Sequence, residues 1–594
     1  MKKLIVFFSL IILLAISILF LPKKVEQAII INCNNKYTTV YLDGSIRKIK
    51  YIMNYPKNTV VSFKYNSFKA YDFKVIKPIT DRVMAKGALY YDLESSGSLP
   101  LAKKVYFYKI DKENNVTLTN ASELIVGKNN IKSFKNQQGE LNIFFISPYN
   151  YSSMRVAVST TGFSSIYHQK LQLNCTSPSK LYSFRESLSM NLPKNTVIDI
   201  EGNEKEIKIS VNNTSKTYKN RVYLSGSNIY INSITRGNPS FFPSYNGVLE
   251  FSCSPKGMLV INETDIEDYL CKVVPSEMPI SGGLEALKCQ AVAARTYAIS
   301  DMLGNRFAAL GFYVDDSTQS QVYNNTPPQA LSTTAVNATK GLIMTYDNKP
   351  IDAKYYSTSC GLGSSYSDIW FRSDGSSEDK PYLAVSSYLS TGTPMPKTEE
   401  QWLNFFKNTK VPSIDNISSY YRWHVELSSN ALTRSLNKSL KNIYENKKGY
   451  LAIKKDGKII NELPELKSLK DIKVLKRSDG GNVIEISFLF DNATVNLKED
   501  SNIRSALRFS NDYTNEAIAV IRYKDKPLNN NSYLPSSFFA VDKTSDKFII
   551  YGGGYGHGVG MSQYGAISLS KSGKNYVDIL NTYYKGITIE KFNQ

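Results

Sequence analysis

Two prolines, Pro275 and Pro279, bracket a lone carboxylate, Glu277, in the run DIEDYLCKVVPSEMPISGGLEALKCQAVAARTY over residues 265–297. Each proline locks φ and removes a backbone donor, so Ser276-Glu277-Met278 has few ways to lie. The pattern predicts a short helix, a rigid loop carrying Glu277, and an Ala-rich helix. Val273, Val274, Met278 and the prolines surround the carboxylate with apolar groups. Partial desolvation disfavours its charged form, which is what a general acid near neutral pH requires. On the residues alone, a solvated glutamate in an inter-helix turn is the simpler reading.

After the turn, apolar residues recur at Leu284, Leu287, Ala291, Ala294 and Ala298, the stripe of a helix packed on a core. Lys288 and Arg295 share a face of that helix. They form either a solvated basic stripe or a cationic wall beside Glu277. Glu285 falls in the first turn, where the helix dipole favours the ionised form. That suits a structural role better than proton donation. Asp265, Glu267 and Asp268 read as solvated or paired.

The formal charge is +20, which fits an anionic partner: nucleic acid, membrane or an anionic polymer. Residues 4–21 are uncharged and almost wholly apolar, flanked by Lys2-Lys3 and Lys23-Lys24. At about 1.5 Å per residue a helix there nearly spans a ~30 Å hydrocarbon core. No small-x-small cleavage site follows, so an uncleaved single-pass anchor over residues 1–24 is expected, with the rest outside the cytoplasm. An external location argues against nucleic acid and for the anionic cell wall. Six cysteines, at 33, 175, 253, 271, 289 and 360, make no CxxC pair, and the three histidines make no HExxH. No metal and no cofactor are expected from these patterns.

Residues 25–150 read as a β-rich extracytoplasmic module. Residues 37–42 and 46–51 alternate around Asp43-Gly44, a hairpin signal, and residues 104–108 and 141–146 read as further strands. In residues 151–594, strands at 221–224 and 229–231 are expected to flank a turn at Ser225-Gly226, with later hairpins at Asp456-Gly457 and Asp479-Gly480-Gly481. The expected fold class is α+β: a β-rich N-terminal region, then a mixed α+β catalytic domain, behind one N-terminal transmembrane helix.

Several words resemble the sporulation stage II protein D family, also called the amidase-enhancer or LytB-type domain. They are Glu267-Asp268-Tyr269-Leu270, Val273-Val274-Pro275-Ser276-Glu277-Met278-Pro279, and Leu284-Glu285-Ala286-Leu287-Lys288 running into Gln290-Ala291-Val292-Ala293-Ala294-Arg295-Thr296-Tyr297. Further on, residues 315–323 are similar to the family's D-x-x-x-S-Q-x-Y word, and residues 552–566 carry its GxGHGVGMSQxGA word. The latter lacks dinucleotide-loop spacing. The chain departs from the family at Tyr356 and Cys360, where His and Gly are usual. Any role of that histidine, metal ligation included, is therefore in doubt.

The resemblance implies a peptidoglycan lytic transglycosylase, cleaving the β-1,4 bond between N-acetylmuramic acid and N-acetylglucosamine in sporulation or wall remodelling. It makes Glu277 the catalytic acid. It makes Ser320, Gln321, Tyr323, His557 and Gln563 substrate-binding candidates, to which the shared helix face adds Lys288 and Arg295. His557 either lines the site or braces the Gly loop. The implied partners are peptidoglycan glycan strands and a wall amidase. The alternative is a non-catalytic, wall-binding activator of a separate N-acetylmuramoyl-L-alanine amidase. A Cys-His endopeptidase using Cys289 or Cys360 with His557 has no supporting context.

Overall fold

Asn and Asp residues set much of the chain's course. At Asp43-Gly44, Asn212-Asn213, Asp347-Asn348 and Asp456-Gly457 both residues of the pair have positive φ. The flanking partners are Leu42 with Ser45, Val211 with Thr214, Tyr346 with Lys349, and Lys455 with Lys458. These are two-residue hairpins of the type whose twist matches paired strands, and short polar side chains tolerate their left-handed backbone.

A computed structural model describes residues 20–592 except 130 and 530. The chain divides into two compact units, one comprising residues up to Val273 and Ala298–Thr326, the other Val274–Tyr297 and Pro327–Phe592.

In the first unit, Lys23–Cys33 lies at the centre of a five-stranded antiparallel sheet. Gly97–Ile110 and Leu141–Ile146 pair in parallel within a seven-stranded sheet. A twelve-stranded sheet carries Ser244–Ser254 and Gly257–Asp265, the hairpin that leads into the Pro275 helix. Its interior holds a charge cluster. Arg155, with no exposed surface, donates to Glu250 at 2.7 Å and to Glu263 at 2.6 Å. Arg82 reaches Glu263 at 2.6 Å and Glu94 at 3.2 Å, while Arg221 bridges Glu250 and Asp92. Burial alone would push the Glu250 carboxyl up; Arg155 and Arg221 outweigh it and hold the group below its usual range.

The second unit contains two five-stranded sheets, one centred on Thr494–Lys498 and one on Trp423–Ser428. The Ser429–Lys447 helix, capped where Ser428 Oγ accepts from the Ala431 amide at 3.0 Å, buries Leu432, Leu436, Leu440 and Ile443. That stripe joins Ile486, Phe488, Val495 and Leu497 in one core.

Three expectations need correction. The described chain is β-rich, with 39% strand against 20% helix, rather than a β-rich region followed by a mixed α+β domain. Short runs closed by two-residue turns, such as those at Asn212-Asn213, Asp347-Asn348 and Asp456-Gly457, form strand pairs in both units. No described helix is long and apolar enough to cross a membrane. The expected span over residues 4–21 lies outside the described residues, apart from Phe20 and Leu21, which are exposed. Residues 221–231 also differ from expectation. Val222–Ile231 is one strand whose register shifts between Gly226 and Ile229 against its neighbour. Ser225-Gly226 therefore leads into a bulge, where one strand carries extra residues, and not into a chain reversal.

Candidate functional site

Glu277 closes a helix, Ile266–Glu277, with Pro275 inside its last turn. The expected loop is thus shorter than the proline spacing suggests. Pro275 has no N–H to give the ladder, but the helix resumes where Met278 N–H donates to the Val274 carbonyl at 3.0 Å. Pro279 then opens a short 3₁₀ turn, Ile280–Gly282, before the Leu284–Gly304 helix. Gly282 must be small, since a Cβ there would stand 2.8 Å from Ile567. The half-buried Glu277 carboxylate accepts a hydrogen bond from Tyr355 Oη at 3.1 Å.

Tyr355 ties this turn to the Gly-rich word. Tyr355–Tyr356 pairs in parallel with Met561–Ser562. Gly554, Gly556, Gly558 and Gly560 all have positive φ. A Cβ on Gly560 would run into the Lys354 carbonyl. The glycines at 556 and 560 therefore admit the residue 354–356 strand at close range. Ser562 Oγ caps the Gln563–Lys571 helix by accepting from Gly565 N–H at 3.3 Å. Gln563 Nε2 donates to Gln290 Oε1 at 3.2 Å, binding that helix to the Ala-rich one.

His557 is half-buried between Trp370 and Tyr356, at ring distances of 5.0 and 5.5 Å. Its Nδ1 accepts from the Val559 amide at 3.1 Å, and the ring also bonds the Tyr355 backbone. Desolvation, then the Lys354 ammonium, holds the imidazole down at about 3. The ring is therefore neutral at physiological pH and braces the loop through both nitrogens.

The two cationic candidates have partners within the fold. Arg295 is 1% exposed and donates to the Leu342 carbonyl at 3.1 Å and the Val336 carbonyl at 3.4 Å. Val336 lies in the last turn of the Ala330–Ala338 helix, where a cation complements the dipole. Lys288 Nζ pairs with Glu285 at 2.7 Å, and Glu285 Oε2 accepts the Tyr576 amide at 2.8 Å. Glu285 and Lys288 thus form part of a clamp on the Tyr576–Tyr583 helix.

Ser320, Gln321 and Tyr323 lie in the first unit. Gln321 and Tyr323 are buried; Gln321 Oε1 accepts from Tyr269 Oη at 3.0 Å, and Tyr323 Oη donates to Asn262 Oδ1 at 3.1 Å. Ser320 Oγ accepts from the Asp315 amide at 3.2 Å. The same word buries Asp316, paired with Arg236 at 2.8 Å.

Sequence reasoning missed Asp415. It has no exposed surface, and its Oδ1 accepts from Ser562 Oγ and, at 3.0 Å, from the Ser359 amide. Oδ2 has no hydrogen-bond partner in good geometry, and neither has the buried Tyr583 hydroxyl. Gly565 lies against both, and a side chain on it would strike Tyr583. Burial without a cation pushes the Asp415 carboxyl up to about 7. All six cysteines are free thiols. Burial raises Cys360 to about 12 and Cys289 well above the thiol range, so neither is a ready nucleophile. Among the described residues no three His, Cys, Asp or Glu side chains converge as metal ligands.

The stage II sporulation protein family matches residues 254–346, which include Glu277, and a domain of unknown function matches residues 365–560. The chain is 28% identical over 323 residues to the amidase enhancer of Bacillus subtilis, covering 54% of this chain but only 40% of that protein. An uncharacterized protein of Brachyspira hyodysenteriae is 27% identical over 427 residues, 71% of this chain and 90% of its own length. Stage II sporulation protein D of Bacillus subtilis is 26% identical over 370 residues, 59% of this chain and 83% of its own. Over residues 254–346, Glu277 included, the chain is thus similar to the stage II sporulation protein family.

Proposed function

We propose that this protein acts outside the cytoplasm as a peptidoglycan lytic transglycosylase, with Glu277 as its single acid and base. The observation that carries the reading is the Glu277 carboxylate itself, set at a helix end beside Pro279 and oriented by Tyr355 Oη. A neutral His557 does not compete for the acid role, because its one N–H is held by the Tyr355 backbone. In the proposed step, protonated Glu277 gives its proton to the glycosidic oxygen as the C1–O bond breaks. The C6 hydroxyl of the muramic acid residue then bonds to C1, closing a 1,6-anhydro ring, and returns its proton to the Glu277 carboxylate. Water takes no part, so no second carboxylate at glycosidase spacing is needed.

Glu277→Gln keeps the size of the side chain and loses the transferable proton. It should lower release of anhydro-sugar products from purified glycan strands by at least about 100-fold while leaving the fold intact. Undiminished release would overturn the reading. The name of one relative favours a second reading, a wall-binding activator of a separate amidase. Wild-type protein that yields no anhydro product but accelerates an added amidase would establish that one instead.

A further inference from the structure

We infer that a groove in the second unit, beside the Gly loop, is a glycan-binding site. It would hold amino-sugar units of the same chain that Glu277 is proposed to cut, and so it rests on that reading. The groove is an open cavity of about 600 Å³, within the range of ligand sites. Tyr366, Trp370, Phe371 and Tyr450 supply its aromatic surface, and its lining includes no aliphatic side chain. Its charged groups balance, Arg372 and Lys447 against Glu378 and Glu499.

That composition selects among ligands. A polyanion needs a net positive lining, and an amphipathic peptide needs aliphatic pockets for its anchors. A pyranose presents an apolar C–H face to aromatic rings and a rim of hydroxyls that need both donors and acceptors. The lining supplies both. Tyr366 and Trp370 lie 4.8 Å apart at 38°, the first raised on a short helix capped by Ser365. Tyr450 Oη donates to the Phe371 carbonyl at 3.1 Å, which fixes that ring on the facing wall. Glu499, a non-glycine residue held at φ 80°, takes both its capping bonds on Oε2, which leaves Oε1 to accept from a ligand.

Position links the groove to Glu277. The Trp370 ring touches His557, and Lys354 Nζ stands 5.6 Å from the Trp370 centroid. The next residue, Tyr355, is the one that binds Glu277. The groove and the carboxylate are thus both tied to the short segment Lys354–Tyr356 and to the Gly loop that pairs with it.

The test is titration of a β-1,4 N-acetylglucosamine hexamer into full-length Glu277→Gln protein by calorimetry, with Tyr450→Ala, Tyr450→Phe or Arg372→Ala added. Tyr450→Ala and Arg372→Ala should each weaken binding about tenfold, and Tyr450→Phe, which keeps the ring, should weaken it less. Arg372 is exposed and forms no ion pair among the described residues, so its variant decides the matter if Tyr450→Ala unfolds. Unchanged affinity in Arg372→Ala and in a folded Tyr450→Ala, or no binding of the hexamer at all, overturns the groove even if wild-type protein cleaves glycan. Weakened binding in these variants alongside an inactive wild type would uphold the groove and sink the cleavage reading.

Discussion

Two buried carboxylates are treated in opposite ways. Glu250 in the first unit lies between Arg155 and Arg221 and stays ionised below its usual range. Asp415 in the second unit has hydroxyl and amide donors but no cation, and it rises to about 7. Burial is complete in both, so the difference comes from the partners alone. A paired charge fastens strands whatever the pH. A lone carboxyl makes its surroundings sensitive to the proton it carries, and those surroundings are Ser359 and Ser562, at the edge of the candidate site.

The severest way to break the contrast is Glu250→Ala. It leaves Arg155 and Arg221 buried with their shared carboxylate gone, and should cost about 3–5 kcal/mol in urea unfolding. A loss below about 1 kcal/mol would mean that Glu263 and Asp92 suffice to neutralise the cluster.

Asp415 sharpens it. Its folded pKa lies above the ordinary 3.8, so the native state holds the extra proton between about pH 4 and 7. The stability it contributes is complete below pH 4 and falls as pH rises to about 7, on the order of 4 kcal/mol across the window. Asp415→Asn, which mimics the protonated form, should flatten that slope relative to wild type. Parallel stability–pH curves for the two proteins would show that Asp415 does not titrate there.

The smallest effect concerns Tyr583, whose buried hydroxyl lies against Gly565 without a partner. Tyr583→Phe removes an unpaired polar group and should raise stability by about 1 kcal/mol. Destabilisation would reveal a hydrogen bond from Tyr583, and with it a cluster better satisfied than Asp415 suggests.

Much of this was written in local signals. Asp43-Gly44 and Asp456-Gly457 turn the chain as their φ preference dictates, and the Ala-rich stripe from Leu284 is the helix its spacing predicts. The words around Glu277 and His557 do meet, through Tyr355–Tyr356 and Met561–Ser562. Other features depended on tertiary context. Pro275 marks a helix end on local rules, yet the helix runs on to Glu277. Arg295 reads as a surface cation until the Leu342 and Val336 carbonyls claim it. Asp415 belongs to no motif and lies 56 residues from Ser359 and 147 from Ser562. Nothing in the sequence announces so remote a contact.

The parallel pairing of Tyr355–Tyr356 with Met561–Ser562 also sets a timetable. About two hundred residues separate the partners, and a ribosome adds roughly 5–20 residues per second. Some 10–40 s of synthesis therefore pass between the appearance of the strand that binds Glu277 and that of the strand that holds it. Glu277 and its helix are made first, and their support arrives nearly three hundred residues later. A truncated product ending anywhere before Met561 would carry the acid without the strand that steadies its hydrogen-bond donor.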